Sequence, residues 1–167
     1  MKTAPNLSLA RMGRAARRQR GIAAIEFSFV FMALFVLVYG IATFGAVFYT
    51  QQVVSRAAED GARAVRMLLA PPVAVDDLRI QATVFDSLTA ALVVPFSAPS
   101  KYDWIAVNAT VTVALSGGSG SAPNTTAVVT VKYSYSANPL IPKLPLIDMS
   151  SWLPDKLQSS ATAAIPS

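Results

Sequence analysis

Residues 27–49, FSFVFMALFVLVYGIATFGAVFY, decide the fold because they form a long apolar run. No Asp, Glu, Lys or Arg occurs between Phe27 and Ser55. As an α-helix rising about 1.5 Å per residue, the run would extend roughly 35 Å, enough to cross a hydrocarbon core of about 30 Å. The run therefore predicts one membrane-spanning helix, with Tyr49 and the polar residues after it at the far interface.

The basic residues before this run predict its orientation. Six of the fourteen Lys and Arg residues precede Gly21, in a segment without acids: Lys2, Arg11, Arg14, Arg17, Arg18 and Arg20. Lys and Arg next to a span are retained in the cytoplasm, so we expect a cytoplasmic N-terminus, although Arg56, Arg63 and Arg66 weakly oppose this. A cleaved secretory signal also begins with basic residues, but its apolar stretch of about 7 to 15 residues is shorter.

Composition narrows the function. From residue 22 onward, eight Lys and Arg face nine Asp and Glu, so the soluble part lacks the basic excess typical of nucleic-acid binding. The chain contains neither Cys nor His, which excludes disulfides, thiolate metal sites, Ser-His-Asp triads and Cys-His dyads. We expect no enzymatic activity, no catalytic residue, no metal site and no cofactor.

The junction between the basic segment and the apolar run carries one acid, Glu26, five residues after Gly21. A carboxylate inside a membrane helix is expensive and suggests a function. If the chain were cut after Gly21, the new amino group of Ile22 would lie one helical turn from Glu26, and each could neutralise the other in a neighbouring subunit. The alternative is a headgroup position, solvated or paired with Arg18 or Arg20.

This junction resembles the leader of type IV prepilin-like proteins, because RGIAAIEF at residues 20–27 precedes a long apolar run. Residues further on resemble the TadE-like pseudopilins of tight adherence (Flp) pili: Gly40, Phe44-Gly45, Phe48-Tyr49 and the segment AAEDGAR at 57–63. A first mature residue Ile22, instead of Phe, favours the Tad branch. Thr43 and Ala46 stand where many members carry an acid and an Arg.

The resemblance implies processing at Gly21 and Ile22 by a prepilin peptidase, with Glu26 as the acidic position of the mature helix. It implies a minor, structural pseudopilin role in pilus assembly, linked to adhesion and secretion. The implied partners are the peptidase, other pilins or pseudopilins, the inner-membrane assembly platform and the lipid bilayer. The alternative is an unprocessed single-pass accessory or binding protein of an envelope secretion system. Both place the protein in a bacterial inner membrane with a periplasmic C-terminal domain.

Beyond the span, an apolar stripe at helical spacing predicts a juxtamembrane helix: Val54, Ala58, Gly61, Val65 and Leu68. Gly40, Gly45, Ala58 and Gly61 are the expected helix-packing positions. The stripe fits packing on the protein's own soluble domain or on a partner subunit. Pro71-Pro72 predicts the end of this helix.

The remaining sequence predicts a small α+β domain with one helix and about three antiparallel strands. Residues 75–92 indicate the helix, with Asp76-Asp77 as acids of its first turn and capping groups rather than metal ligands. Period-two alternation predicts strands at 105–115 and 127–135, and Gln158–Ile165 is the third candidate. The expected organisation is a leader (1–21), a transmembrane helix (22–50), a juxtamembrane helix (51–70) and an extracytoplasmic domain (73–167).

Overall fold

The computed structural model describes residues 9–67, 74–95, 97–117, 125–142 and 152–165, with side chains from Ile22 onward. Three helices and three strands follow one another: α1 (Leu9–Met67), α2 (Leu78–Ala91), α3 (Lys101–Asn108), β1 (Ala109–Ser116), β2 (Thr126–Tyr133) and β3 (Leu157–Ala164). A long apolar N-terminal helix thus precedes a small domain with a three-stranded antiparallel sheet. The predicted α+β class is confirmed.

Helix α1 runs unbroken through the apolar segment and the juxtamembrane stripe. The chain divides into two compact units, Met1–Ala42 and Thr43–Ser167, and we call the second unit the head. The predicted helix end at Pro71-Pro72 lies outside the described residues.

The sheet has the order β1-β2-β3, and both neighbouring pairs are antiparallel. Ala109 lies opposite Tyr133, and Thr126 lies opposite Ala164, without a break in either register. Buried and exposed residues alternate along β1, as expected when one face of a sheet packs on a core. The predicted third strand is confirmed, shifted by one residue.

The prediction that a strand begins at Ile105 was wrong, because residues 105–108 are the last turn of α3. Ser100 caps this helix by accepting a hydrogen bond from the backbone N–H of Asp103, and the Asn108 side chain donates to Trp104 O at 2.8 Å. Val107 is 85% exposed, which does not fit the buried position the alternation assigned to it. Residues 105–108 therefore follow the helix capped by Ser100 and not the predicted strand.

Helix α2 begins three residues later than predicted and has no acid in its first turn. Asp76 adopts a positive φ of 52°, and Asp77 is the N-cap, so both acids precede the helix. Asp77 accepts a hydrogen bond from the backbone N–H of Arg79 at 3.0 Å. Capping is thus confirmed for Asp77, whereas Asp76 bonds to β1 instead.

The core of the head lies between the second half of α1, helix α2 and one face of the sheet. Its fully buried residues come from each of these elements and include Val54, Val65, Ile80, Val84, Leu88, Val129 and Val131. At about 25 cal/mol per Å² of buried apolar surface, such a core is the main stabilising contribution to the head. The second half of α1 is therefore a structural part of the head.

Candidate assembly helix and its surroundings

The first described side chains of α1 belong to the predicted processing junction. Ile22 is 63% exposed, and Glu26 is exposed one helical turn further on. Among the described side chains, none bonds to the carboxylate of Glu26. The alternative pairing with Arg18 or Arg20 lies outside the described side chains, as do the topology residues Arg14 and Arg17.

From Ile22 to Ala42, α1 presents apolar side chains on every side. Those more than half exposed include Phe27, Phe29, Val30, Phe31, Met32, Leu34, Leu37, Val38 and Ile41. In the described part of the chain, one helix is long and apolar enough to cross a membrane, and its most apolar window is not buried at all. Such exposure would be unfavourable in water, so this surface requires lipid or another apolar partner.

The head begins to bury α1 at Thr43, before the predicted end of the span. Thr43, Val47 and Thr50 are each at most 8% exposed. Tyr49 donates from its hydroxyl to Ala91 O at 2.8 Å, so it contacts α2 as well as facing outward. The 21 residues from Ile22 to Ala42 would extend about 31 Å as a helix, which matches a hydrocarbon core of about 30 Å.

The four predicted packing positions lie in two different environments. A Cβ added to Gly40 or Gly45 would meet nothing within 4 Å, so both glycines leave open space beside the helix. Ala58 and Gly61 are buried in the head, and Gly61 faces α2 and β2 of the same chain. Only Gly40 and Gly45, of these four, leave room for another helix to approach.

Residues 21–63 match the family model of TadE-like proteins. The match begins at the processing junction and ends at Arg63, so it covers 43 of the 167 residues. The resemblance seen in the sequence is confirmed over this segment, and it associates the chain with Tad/Flp pilus assembly and its components. No curated protein and no solved structure matches the chain.

The TadE-like segment ends inside the head, where its last charged residues are tied to their neighbours. Asp60 accepts a hydrogen bond from Ser87 of α2 at 2.7 Å and pairs with Arg63 at 3.4 Å. Arg63 also lies 4.0 Å from Glu59, in the favourable i to i+4 order. These exposed ion pairs contribute little to stability, whereas the hydrogen bond between Asp60 and Ser87 links α1 to α2.

An open groove of about 820 Å³ lies between the second half of α1 and α2. Its lining mixes charged and small apolar side chains, among them Arg56, Asp60, Met67, Asp86 and Ala90. Within the described parts of the chain, no three Asp or Glu side chains are grouped as metal ligands would be.

The shortest ion pair among the described residues joins Asp77 and Arg79 at the start of α2. The guanidinium donates to both carboxylate oxygens of Asp77, at 3.0 and 2.8 Å. These hydrogen bonds lower the pKa of Asp77 to about 2, and the pKa of Arg79 is raised by the same contact. The pair fixes the helix start, and sequence analysis missed it because Asp77 was considered only as a cap.

Proposed function

We propose that this protein is a non-catalytic minor pseudopilin of a tight adherence (Flp) pilus, processed after Gly21 by a prepilin peptidase. The observation that carries the proposal is a single helix whose first part is uncharged and exposes apolar side chains from Phe27 to Ala42, and whose second part contributes to the core of a head. The match of residues 21–63 to TadE-like proteins supports it.

Helix α1 combines two properties that a component of a filament or an assembly platform needs, an apolar surface and a connection to a folded head. Its segment 22–42 can lie in lipid or against the helices of other pilins, since both environments accept apolar side chains. Its segment from Thr43 onward ties that surface to a folded head. Gly40 and Gly45 are the positions where a neighbouring helix could approach most closely.

Glu26 has a defined role in this proposal. After cleavage, the amino group of Ile22 and the carboxylate of Glu26 lie one turn apart on the same helix. A charge buried among apolar helices is stabilised only by a partner charge, so each neutralises its counterpart in an adjacent subunit. Because the other described residues between Ile22 and Ser55 are uncharged, no second acid on this segment can substitute for Glu26.

The experiment that tests processing is the intact mass of the protein recovered from cells with and without an active prepilin peptidase. Ile22 is expected as the first residue when the peptidase is active, and the full leader is expected when it is not. Gly21→Leu is expected to retain the leader in both strains. A full-length protein in the presence of active peptidase would instead favour the unprocessed accessory protein.

Assembly is tested separately from processing with Glu26→Gln and the matched control Ser28→Ala, which changes an exposed polar group two residues away. Glu26→Gln is expected to be inserted in the membrane but to reduce surface pili strongly, whereas Ser28→Ala assembles normally. Normal piliation with Glu26→Gln would show that the carboxylate is only a headgroup contact.

The proposed location is the inner membrane, with the leader in the cytoplasm and the head in the periplasm. The chain has no Cys, so a single reporter cysteine can be introduced without background labelling. Thr112→Cys, on the exposed side of β1, is expected to react with a membrane-impermeant maleimide in intact spheroplasts. In cells without an active prepilin peptidase, where the leader is retained, Lys2→Cys is expected to react only after lysis, and the reverse pattern would overturn the orientation.

A further inference from the structure

The two edges of the sheet differ, and the edge of β1 is covered. Ser134 N–H donates to Asn108 O, so the even-numbered residues of β1 exchange hydrogen bonds with β2. The backbone N–H and C=O groups of the odd-numbered residues therefore point away from β2. Asp76 fills this edge at Val113: its backbone N–H donates to Val113 O, and its carboxylate accepts from Val113 N–H, both at 2.9 Å. An incoming strand could not pair there.

As far as the described residues show, the edge of β3 is open. Ile165 N–H donates to Thr125 O, so the bonded pairs between β2 and β3 involve the odd-numbered residues of β3. The even-numbered residues therefore point their N–H and C=O groups outward: Gln158, Ser160, Thr162 and Ala164. Among the described residues, the one hydrogen bond to these groups is from Gln51 Nε2 to Gln158 O, at 3.1 Å.

Natural sheets protect open edges with charges, prolines or bulges. The sequence of β3, LQSSATAA, has no charged residue and no proline, and its register with β2 contains no bulge. Residues 160, 162 and 164 are exposed. Among the described residues, the edge of β3 thus lacks these protections, in contrast to the covered edge of β1.

A groove of about 240 Å³ runs beside this open edge, between β3 and the second half of α1. Thr162 and Ala161 form one wall, and the other wall carries Glu59, Arg63 and Arg66. Glu59 and Arg63 lie 4.0 Å apart, but Arg66 is exposed and makes no ion pair with any described residue. Within the described residues, the groove therefore offers one positive charge without an ion-pair partner, next to the outward backbone groups of Ser160, Thr162 and Ala164.

We propose that the open edge of β3 binds an extended segment of a partner protein as a fourth strand, and that an acidic side chain of this segment pairs with Arg66. In such β-strand addition, main-chain hydrogen bonds supply the affinity and the neighbouring wall supplies the specificity. The partner segment is extended, carries a carboxylate and has no proline at the positions that donate to β3.

A second copy of the chain meets only part of this requirement. Its own β3 could supply backbone groups, but β3 has no charged residue and so offers no acid to pair with Arg66. We therefore assign the edge to a segment of a different protein.

Amide hydrogen exchange on the full chain in lipid nanodiscs tests the proposal directly. The probe is the acetylated and amidated peptide TVTETVT, with TVTKTVT as the matched control of opposite charge. With about 1 mM TVTETVT, the amides of Ser160, Thr162 and Ala164 are expected to exchange at least about tenfold more slowly. The amides of Ala161 and Ala163, already bonded to β2, are expected to be unchanged.

Two variants separate binding from folding. Thr162→Pro removes one outward N–H and is tolerated on an edge, so the Ala161 and Ala163 amides are expected to stay protected while the peptide effect is lost. Thr162→Val keeps the N–H and is expected to bind. Arg66→Gln is expected to abolish the preference for the Glu peptide over the Lys peptide.

Three results would overturn the proposal. The first is no slowing of the three amides by the Glu peptide, and the second is equal slowing by both peptides on the unmodified chain. The third is slowing without peptide that increases with protein concentration, because it would show that a second copy occupies the edge.

Discussion

Gly61 of α1 lies so close to Val84 of α2 that a Cβ added to Gly61 would come within 2.5 Å of Cγ2 of Val84. The same Cβ would lie 2.9 Å from Cγ1 of Val129, on β2. Both valines are fully buried, so neither methyl group can move into solvent. The glycine is therefore required by the close packing of α1 on α2 and β2 within the head.

Gly61→Ala is expected to destabilise the head. Forcing a methyl group into a packed core costs about 1–3 kcal/mol, and the better helix propensity of Ala returns up to about 1 kcal/mol. We expect a net loss of about 1 kcal/mol, measured as a lower midpoint in urea denaturation followed by circular dichroism.

Gly45→Ala is the matched control for that substitution, because it makes the same chemical change where nothing lies within 4 Å of the new Cβ. It is expected to leave the midpoint unchanged or to raise it. A midpoint for Gly61→Ala equal to or above that of Gly45→Ala would contradict the close packing of α1 on α2.

The ion pair at the start of α2 predicts a loss of stability in acid. The pKa of Asp77 is lowered to about 2 by the hydrogen bonds from Arg79, so the pair stabilises the fold above the usual pKa of Asp, near 4. This contribution is lost as the pH falls from about 4 to about 2. Because the Arg79 side chain is 48% exposed and solvent screens the pair, we expect about 1 kcal/mol.

Asp77→Asn keeps a capping oxygen but removes the charge, so it tests the ion pair alone. Its denaturation midpoint is expected to be lower at pH 7 and to fall less steeply between pH 4 and pH 2 than that of the unmodified chain. Parallel pH profiles for the two proteins would show that Asp77 acts only as a cap.

Tyr133 predicts a loss of stability in alkali. The side chain is 2% exposed, and burial raises its pKa to about 12, with a smaller effect from Tyr135. The raised pKa stabilises the fold below the usual pKa near 10, and this contribution is lost as the pH rises towards 12. We expect the effect to be on the order of 2 kcal/mol.

Tyr133→Phe removes the ionising group while keeping the ring, so its stability is expected to fall less steeply above pH 10. Among the described residues, the Tyr133 hydroxyl makes one hydrogen bond, a long one of 3.4 Å to Asn138 O, so its removal is expected to cost little stability at neutral pH. Tyr102→Phe is the control, because Tyr102 is 44% exposed. Equal alkaline slopes for both variants would be inconsistent with a buried phenol at position 133.

Local patterns were sufficient to predict the apolar span and the three strands. A long uncharged run has few alternatives to a membrane helix, and period-two alternation with buried Val residues is specific for a sheet on a core. Helix α3 was missed because the apolar residues Ile105 and Val107 extend the period-two alternation of β1 toward the N-terminus, although both lie in a helix. The spacing of Ser100 and Asp103 before an apolar stretch was the capping signal that would have indicated it.

Contacts between distant residues could not be predicted in the same way. The stripe containing Ala58 and Gly61 fitted either a partner or the chain's own domain, because a helical period does not identify what lies opposite. The structure shows Gly61 facing Val84 and Val129 of the same chain. The bond between Asp76 and Val113 spans 37 residues and left no pattern in the sequence.

That bond supports the last prediction, which concerns the covered edge of β1. Asp76→Ala removes the carboxylate that accepts a hydrogen bond from Val113 N–H. It also places Ala, which has no polar side chain to stabilise a left-handed conformation, at a φ of 52°. The left-handed conformation costs about 1–2 kcal/mol, and the lost hydrogen bond costs about 1 kcal/mol. We therefore expect a loss of about 2–3 kcal/mol and faster amide exchange at Val113.

Asp76→Asn keeps an acceptor oxygen and tolerates the conformation, so it is expected to retain most of the stability. If both variants exchanged at Val113 as slowly as the unmodified chain, Asp76 would not be the group that closes this edge.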